Sequence, residues 1–229
     1  MQIYSFTDIG RRNENEDVIH SVILNEQFSV HLLADGMGGY GNGKLAAQTI
    51  VESISSYLTS ELNENGNIEL LIVNAIHNSN NEIKSIRKSI NSKLGATIAG
   101  VVVMNNIVYC FWIGDVRIIY FNNQRIQFQS KDHSLINELV KSKQVLTPSE
   151  IHQYRHVVTK SIQGNNEIIE PGLMKLDSIV ASDKIILCTD GVHNVVAPLE
   201  MESLLENSEN EQKFMIQMEE KCKEYSTDN

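Results

Sequence analysis

The sequence predicts an α+β fold in which antiparallel β-sheet is covered by helices. The first observation is a tract of four short β-branched or aromatic runs, GATIAGVVVM, IVYCFWI, VRIIYF and RIQFQS, joined by the short turns NN, GD and NNQ. Such connections favour hairpins, because parallel neighbours need crossovers of about a dozen residues or more. The second observation is that two long segments with helical spacing precede this tract instead of alternating with its strands.

The N-terminal part of the chain is predicted to supply a strand, a hairpin and two helices. Residues 2–7 alternate as in a strand, and the apolar runs 17–24 and 28–34 form a hairpin around NEQ. Residues 43–57 and 67–90 repeat apolar side chains at helical spacing. The NENGN stretch between these two helices is typical of a turn.

The remaining elements follow the β-rich tract. The chain becomes helical and polar from Ser134 to about residue 153, and DKIILCTDG predicts one more strand that ends at a turn. Further helices are predicted near 198–207 and 209–225. Because no repeat, linker or low-complexity block divides these elements, residues 1–229 are expected to form a single domain.

Composition narrows the class of protein. The 229 residues are 41% hydrophobic and carry a net charge of -10, which suits one sizeable core and disfavours binding to nucleic acid or anionic membrane. Cys110, Cys188 and Cys222 form no C-x-x-C pair and are expected to be reduced core thiols. The N-terminus has no secretory signal, and no apolar run is long enough to span a membrane. A cytoplasmic protein is therefore expected.

The stretch HLLADGMGGYGNGKLAAQ, residues 31–48, resembles two phosphate-binding loops. Its glycines include G-x-G-x-x-G, but the dinucleotide fold places that turn after the first strand of an alternating β/α series, which this sequence lacks. Residues 38–44 match most of a P-loop, but Leu45 stands where a Ser or Thr should hold magnesium. A nucleotide-binding enzyme is therefore the weaker hypothesis for this loop.

Acidic residues follow several apolar runs at positions where strands are predicted to end. Asp35, Asp115 and Asp190 each occupy such a position, NENED supplies Glu16 and Asp17, and STDN supplies Asp228. An Asp beside a Gly after a strand is usually only a turn, but several acids that converge need a cation to offset their repulsion.

Oxygen ligands without a His or Cys set favour Mg²⁺, Mn²⁺ or Ca²⁺ over zinc. The sequence has no histidine zinc motif and no EF-hand loop, so a calcium sensor is disfavoured. Paired divalent metals are a standard device for hydrolysing phosphate esters. The GRR segment ahead of the acids adds an arginine suited to a phosphate fork.

Eight motifs, in order, resemble those of the metal-dependent serine/threonine protein phosphatases of the PPM family, also called type 2C, in its short bacterial form. They are DIGRRNENED, LLADGMGGYGNGKLAA, GATIAGVVV, IGDVRIIYF, KDHSLINELV, VTKSIQG, DKIILCTDGVHN and STDN. The resemblance implies an αββα sandwich of two antiparallel sheets flanked by helices, with a metal site at one edge. It also implies that residues 136–163 form a variable flap that contacts substrates.

The implied site holds two Mn²⁺ or Mg²⁺ ions, possesses a third weaker metal position, and hydrolyses phosphomonoesters by attack of a metal-bound water. The implied partners are phosphoserine and phosphothreonine proteins and an opposing serine/threonine kinase. The implied roles are phosphate binding for Arg12, metal bridging for Asp35, metal ligation by the Gly36 carbonyl and by Asp190 and Asp228, direct or water-mediated ligation by Glu16, and the third metal for Asp115.

Three features depart from the family pattern. Met37 replaces the histidine that animal members use as a proton donor, so water is expected to protonate the leaving group. Val116 stands where a small hydroxyl residue is usual, and Arg117 is expected to form a structural ion pair. His133 is also assigned a structural role. The third departure is that the family continues past the Asp-Asn motif with a strand, whereas this sequence stops at Asn229.

Two functional classes follow from that last departure. The leading hypothesis is an active phosphatase. The alternative is a catalytically weak, phosphatase-like binding or regulatory module in which the last strand is missing and Asp228 lacks support, because chain ends fray unless they are tied down.

Overall fold

The computed structural model describes residues 1–38, 41–62 and 66–229, and these form two antiparallel sheets between two layers of helices. The strands are β1 (Asp17–Ile23), β2 (Phe28–Met37), β3 (Gly95–Met104), β4 (Ile107–Ile113), β5 (Arg117–Asn122), β6 (Arg125–Gln129), β7 (Gly172–Leu176) and β8 (Lys184–Cys188). The helices are α1 (Asn42–Glu61), α2 (Ile68–Ile90), α3 (Leu135–Lys141), α4 (Pro148–Tyr154), α5 (Asp190–His193), α6 (Pro198–Asn207) and α7 (Glu211–Tyr225).

The larger sheet has the strand order β1-β2-β3-β4-β7, and the smaller has the order β6-β5-β8. Helices α1 and α2 bury their apolar faces on the larger sheet, and α6 and α7 bury theirs on the smaller one. A third apolar cluster fills the space between the sheets. The predicted αββα sandwich is therefore confirmed.

Strand β3 shows how the sequence produces this layering. Successive side chains of a strand point to opposite faces, and here Ile98 and Val102 pack toward α1 and α2 while Ala99 and Val101 pack toward the smaller sheet. Because both faces are covered, β3 needs apolar residues at every position, which explains its uninterrupted GATIAGVVV run.

The predicted hairpin of β1 and β2 is confirmed, with Ile23 opposite Ser29 nearest the turn. The hairpins β3–β4 and β5–β6 are also present. The predicted hairpin of β4 and β5 is wrong, because the chain crosses from one sheet to the other at residues 114–116. A connection as short as GD is compatible with a hairpin or with a crossover between the sheets. Only the packing of the covering helices decides between these two paths.

Two further differences concern whole elements, and one prediction is not tested. Residues 2–7 form no strand, because no described strand supplies a hydrogen-bonding partner for their backbone. Strand β7 was not predicted, since Gly172–Leu176 is short and has only weak alternation. The turn predicted in NENGN falls largely on 63–65, which lie outside the described residues.

The predicted core thiols are confirmed, since Cys110, Cys188 and Cys222 are buried and unbridged. Burial raises the pKa of Cys110 and of Cys188 to about 12, so both remain protonated. Within the described ranges, no helix is long and apolar enough to cross a membrane.

Candidate metal centre

The acids predicted at strand ends converge at one edge of the sandwich. Asp35 lies near the end of β2, Asp115 lies in the crossover between the sheets, and Asp190 begins α5 directly after β8. The charges of Asp190, Asp115 and Asp228 all act on Asp35. Residues separated by up to 193 positions in sequence, Asp35 and Asp228, are thus brought together by the fold.

Burial is the largest cause that raises the pKa of Asp35 well above its usual range, and the neighbouring carboxylates raise it further. Burial also raises the pKa of Asp115 to about 6, with Asp190 as the next cause. The pKa of Asp190 is raised by burial and then by Asp228. Like charges held together in a partly desolvated site favour binding of a cation, which would offset their repulsion.

Asp17 is a member of this cluster to which sequence analysis assigned no role. It lies directly opposite Asp35 in the register of β1 and β2, where facing side chains have Cβ atoms about 5 Å apart. Burial raises the pKa of Asp17 to about 7, although the Thr189 hydroxyl donates to Asp17 Oδ2 over 3.0 Å and opposes the shift. The signal was available, because a hairpin closed around NEQ already pairs residue 17 with residue 35.

Glu16 has a different environment from the aspartates. Its Oε1 accepts a hydrogen bond from the Gly43 amide over 3.1 Å, at the start of α1, where the helix dipole favours an anion. Its backbone carbonyl accepts from the Gly36 amide over 3.2 Å. Burial raises the pKa of Glu16, and the Gly43 hydrogen bond opposes this. Glu16 therefore joins β1, β2 and α1 immediately beside the cluster.

Gly36 has no room for a side chain. A Cβ atom at this position would lie 2.3 Å from the Gly43 carbonyl oxygen and 2.8 Å from the Glu16 carbonyl oxygen. Both obstacles are backbone atoms, so neither can rotate away. The close approach of β2 to α1 at this point requires glycine.

We expect Gly36→Ala to destabilise the fold by about 2 kcal/mol or more, because β2 and α1 must separate to admit the methyl group. The same movement would displace Asp35, so the concentration of Mn²⁺ needed for half-maximal thermal stabilisation should rise. Melting curves across a Mn²⁺ titration measure both effects. Gly66→Ala, outside the site, serves as the control, and an unchanged titration midpoint for Gly36→Ala would contradict the expectation.

The N-terminal loop and the last residues hold each other at the cluster. The Arg12 guanidinium donates to Asp228 Oδ2. The side-chain amide of Asn229 donates through Nδ2 to the backbone carbonyls of Ile9 over 3.0 Å and Glu14 over 3.2 Å. The Glu16 amide donates to Asn229 Oδ1 over 3.1 Å. These contacts tie Asp228 beside the other carboxylates.

Two histidines hold the crossover that carries Asp115. The His133 amide donates to the Gly114 carbonyl over 2.8 Å, and the Gly114 amide donates to His133 Nδ1 over 3.1 Å. His193 Nε2 lies 3.0 Å from the Asp115 carbonyl and donates to it. Burial lowers the pKa of both rings to about 4, so both are neutral near pH 7. His133 has the structural contacts that the sequence led us to expect, whereas no sequence pattern pointed to His193.

Arg117 also has the environment expected from the sequence. It donates to both carboxylate oxygens of Asp132, over 3.0 and 2.6 Å for the shortest contacts. This bidentate pair joins the start of β5 to the segment before α3.

A different contact reaches the site from residues 136–163, since His156 Nδ1 lies 4.0 Å from Asp190 Oδ2. His156 was not singled out in the sequence.

The donor set suits hydrated divalent cations. Among the described residues, no three His, Cys, Asp or Glu side chains are positioned to hold a metal ion by themselves. Mg²⁺ and similar hard ions commonly keep several waters and use only one or two carboxylates directly. An open edge with several carboxylates of raised pKa fits that mode of binding better than it fits a closed zinc site.

Comparison with known proteins agrees with this chemistry. A model of the family described as protein phosphatase 2C matches residues 8–228. A putative protein phosphatase 2C-type of Streptococcus pyogenes is 29% identical over 209 residues, which is 90% of this chain and 84% of the relative.

Solved structures show the same architecture. The serine/threonine phosphatase of S. agalactiae superposes with a TM-score of 0.86 at 27% identity, covering 97% of this chain and 93% of that one. The catalytic domain of the phosphatase PstP, in complex with two manganese ions, gives a TM-score of 0.77 at 24% identity, covering 95% of this chain and 89% of that one.

Proposed function

This chain belongs to the protein phosphatase 2C family, and from that premise we propose how its own residues carry out phosphate ester hydrolysis. The protein is a metal-dependent serine/threonine phosphatase. The observation that carries the proposal is the convergence of Asp17, Asp35, Asp115, Asp190 and Asp228 at one edge of the sandwich. A phosphate ester would be repelled from such an edge unless cations reversed its charge.

The proposed ligand set contains both side-chain and backbone oxygens. Asp35 bridges two divalent ions and the Gly36 carbonyl completes one of the two coordination spheres. Asp190 and Asp228 hold the other ion. The ions are Mn²⁺ or Mg²⁺, in keeping with hard oxygen donors.

Two further acids have supporting roles in this proposal. Asp115, presented by the crossover that His133 and His193 hold, supplies a third and weaker metal position. Glu16 holds a metal directly or through water, and the Gly43 amide fixes the position of its carboxylate. Asp17, opposite Asp35, adds negative charge and receives the Thr189 hydroxyl, which orients its carboxylate in the cluster.

When bound, the divalent ions lower the pKa of coordinated water and shield the phosphoryl oxygens. Arg12 binds the substrate phosphate through its planar guanidinium, which matches two phosphate oxygens at once. Asp228 holds that guanidinium at the edge of the cluster, and the phosphate replaces this contact when substrate binds. Met37 carries no titratable proton, so solvent water protonates the leaving serine or threonine oxygen.

The substrates are phosphoproteins, and we further propose that a serine/threonine kinase supplies them. The alternative of a binding module without activity is not favoured, since the relatives described above are named as phosphatases. That alternative assumes that Asp228 is unsupported, whereas Asp228 and Asn229 both contact the N-terminal loop.

Turnover of a phosphothreonine peptide tests the proposal directly. Phosphate release is expected with millimolar Mn²⁺ or Mg²⁺ and is expected to disappear when a chelator removes the ion. Restoring activity by adding excess metal excludes damage by the chelator. Equal turnover with and without chelator would overturn the proposal.

A further inference from the structure

A second concave site lies beside the metal edge and has the opposite charge. It is a pocket of about 390 Å³ between the C-terminal end of α2 and the loop 163–166 that follows the proposed flap. Its lining is cationic and amide-rich: Lys84, Arg87, Lys88, Asn91, Gly164, Asn165 and Asn166. On a chain with a net charge of -10, such a concentration of positive charge on one helix is unexpected from composition alone.

The loop is held against α2 by a set of hydrogen bonds. Asn80 accepts from the Gly164 amide over 2.8 Å and donates to the Asn165 carbonyl over 2.8 Å. Arg87 donates to the Gln163 carbonyl over 3.1 Å and to the Asn165 side chain over 2.9 Å. Because its wall is already ordered, the pocket loses little conformational entropy when a ligand binds.

The cations of this pocket have neutral partners. Lys84 donates to the Asn166 side-chain oxygen over 2.6 Å, and Arg87 has only the amide oxygens described above. Within the described residues, neither these two nor Lys88 forms an ion pair with a carboxylate. Like charges three and four residues apart on a helix repel. The helix dipole offsets part of this repulsion at Arg87 and Lys88, and a bound anion would offset the rest.

The sheet register places this pocket close to the catalytic edge. Gly36 is paired with Ala96, and Ala96 bridges Ile162 on its other side. At about 4.8 Å per strand spacing, Ile162 lies about 10 Å from Gly36. Gly164 is two residues further along, so the pocket begins within about 17 Å of the metal site. An extended peptide covers that distance in about three to five residues.

We propose that this pocket binds an acidic segment of the phosphoprotein substrate, about three to five residues from the phosphorylated side chain. The proposal rests on the phosphatase function proposed above and specifies its substrate class. Acidic segments are repelled by most of this protein's surface and attracted here, so the pocket would select both the substrate and its direction across the site.

Kinetics with matched peptides test the proposal. Phosphothreonine peptides carrying four Glu residues, on either side of the phosphorylated residue, are compared with the same peptides carrying Gln. We expect the better acidic peptide to have a KM about fivefold lower than its Gln counterpart, and Lys88→Glu or Lys88→Gln to remove this difference without changing turnover of the Gln peptide.

The matched control is Lys213→Glu, because Lys213 is exposed on α7 on the other side of the sandwich and changes the net charge equally. It should retain the full preference. Equal KM values for acidic and neutral peptides in the unmodified protein, or an equal loss in both charge-reversed variants, would overturn the proposal.

A binding measurement separates this proposal from the proposed activity. Fluorescence anisotropy of a labelled, unphosphorylated acidic peptide should show binding at low salt that weakens by about fivefold in Lys88→Glu and not in Lys213→Glu. That result supports the pocket even if the protein proves inactive. Absence of peptide binding in a protein that hydrolyses phosphopeptides would overturn the proposal. The proposal would also be overturned if inorganic phosphate displaced the peptide and the acidic and neutral peptides bound equally well.

Discussion

Replacement of Asp35 by Asn is expected to lower metal-dependent phosphatase turnover by at least about a hundredfold. Burial raises the pKa of Asp35 well above its usual range, and the charges of four other aspartates raise it further. Asparagine keeps the shape of the side chain but removes the negative charge and one of the oxygen donors. Initial rates with a phosphothreonine peptide at saturating Mn²⁺ measure the loss.

The same variant is expected to unfold no more easily than the unmodified protein in the absence of metal. Asp35 is buried among like charges, so its neutralisation removes repulsion from the folded state. Low activity with an unchanged or higher melting temperature would therefore separate a lost ligand from a lost fold. Addition of Mn²⁺ should raise the melting temperature of the variant less than that of the unmodified protein.

Asp177→Asn provides the matched control for Asp35→Asn. Asp177 is exposed and pairs with Lys175 over 2.8 Å, away from the cluster. Exposed pairs contribute at most about 1 kcal/mol, so activity and metal response should both be retained. Full activity in Asp35→Asn would contradict the assignment of this residue as the bridging ligand.

In the absence of divalent ions, the contribution of Asp17 and Asp115 to the free energy of unfolding is expected to fall as the pH rises from about 5 to about 7. The folded-state pKa of Asp17 is about 7, compared with an ordinary value of 3.8, and that of Asp115 is about 6. These aspartates thus bind more protons in the folded state than in the unfolded state across this interval, so their contribution to stability decreases with rising pH. His133 and His193, whose folded-state pKa is about 4, act in the opposite direction, so the contribution of Asp17 is read from the difference between the unmodified protein and Asp17→Asn. For Asp17 alone the loss between pH 5 and pH 7 is about 2 kcal/mol.

Urea unfolding at several pH values, in buffer treated to remove metals, measures this slope. Asp17→Asn should flatten the slope and raise stability near pH 7, because the buried carboxyl no longer has to ionise. Millimolar Mn²⁺ should also flatten it by neutralising the cluster and by binding only the folded state. If the stability difference between the unmodified protein and Asp17→Asn does not change between pH 5 and pH 7, Asp17 does not belong to the desolvated cluster described here.

Sequence analysis was most informative where the signal is local. The spacing of apolar residues located α1, α2, α6 and α7, and the β-branched runs located β3 to β6. Hairpin register was also within its reach, since the loop length after β1 already pairs residue 17 with residue 35. A role for Asp17 was missed because its neighbour Glu16 matched the family pattern.

The sequence was less informative where two paths satisfy the same local rules. The GD dipeptide after β4 is a suitable hairpin turn, yet residues 114–116 carry the chain into the second sheet. The two covering helix pairs select this path, because each sheet must bury one face on helices and the other on its partner. That crossover is also the segment that presents Asp115. The wrong prediction of a β4–β5 hairpin therefore concerned a segment of the candidate site.

By itself, the sequence determined which residues form helices and strands, that acids follow several strands, and which family the ordered motifs resemble. Only the tertiary structure decided that Glu16 caps α1, that His193 holds the Asp115 turn, and that α2 and the loop 163–166 enclose a cationic pocket. The physical reason is range. Periodicity and turn chemistry act between residues a few positions apart, whereas these contacts join residues tens to hundreds of positions apart, whose proximity depends on how the layers pack.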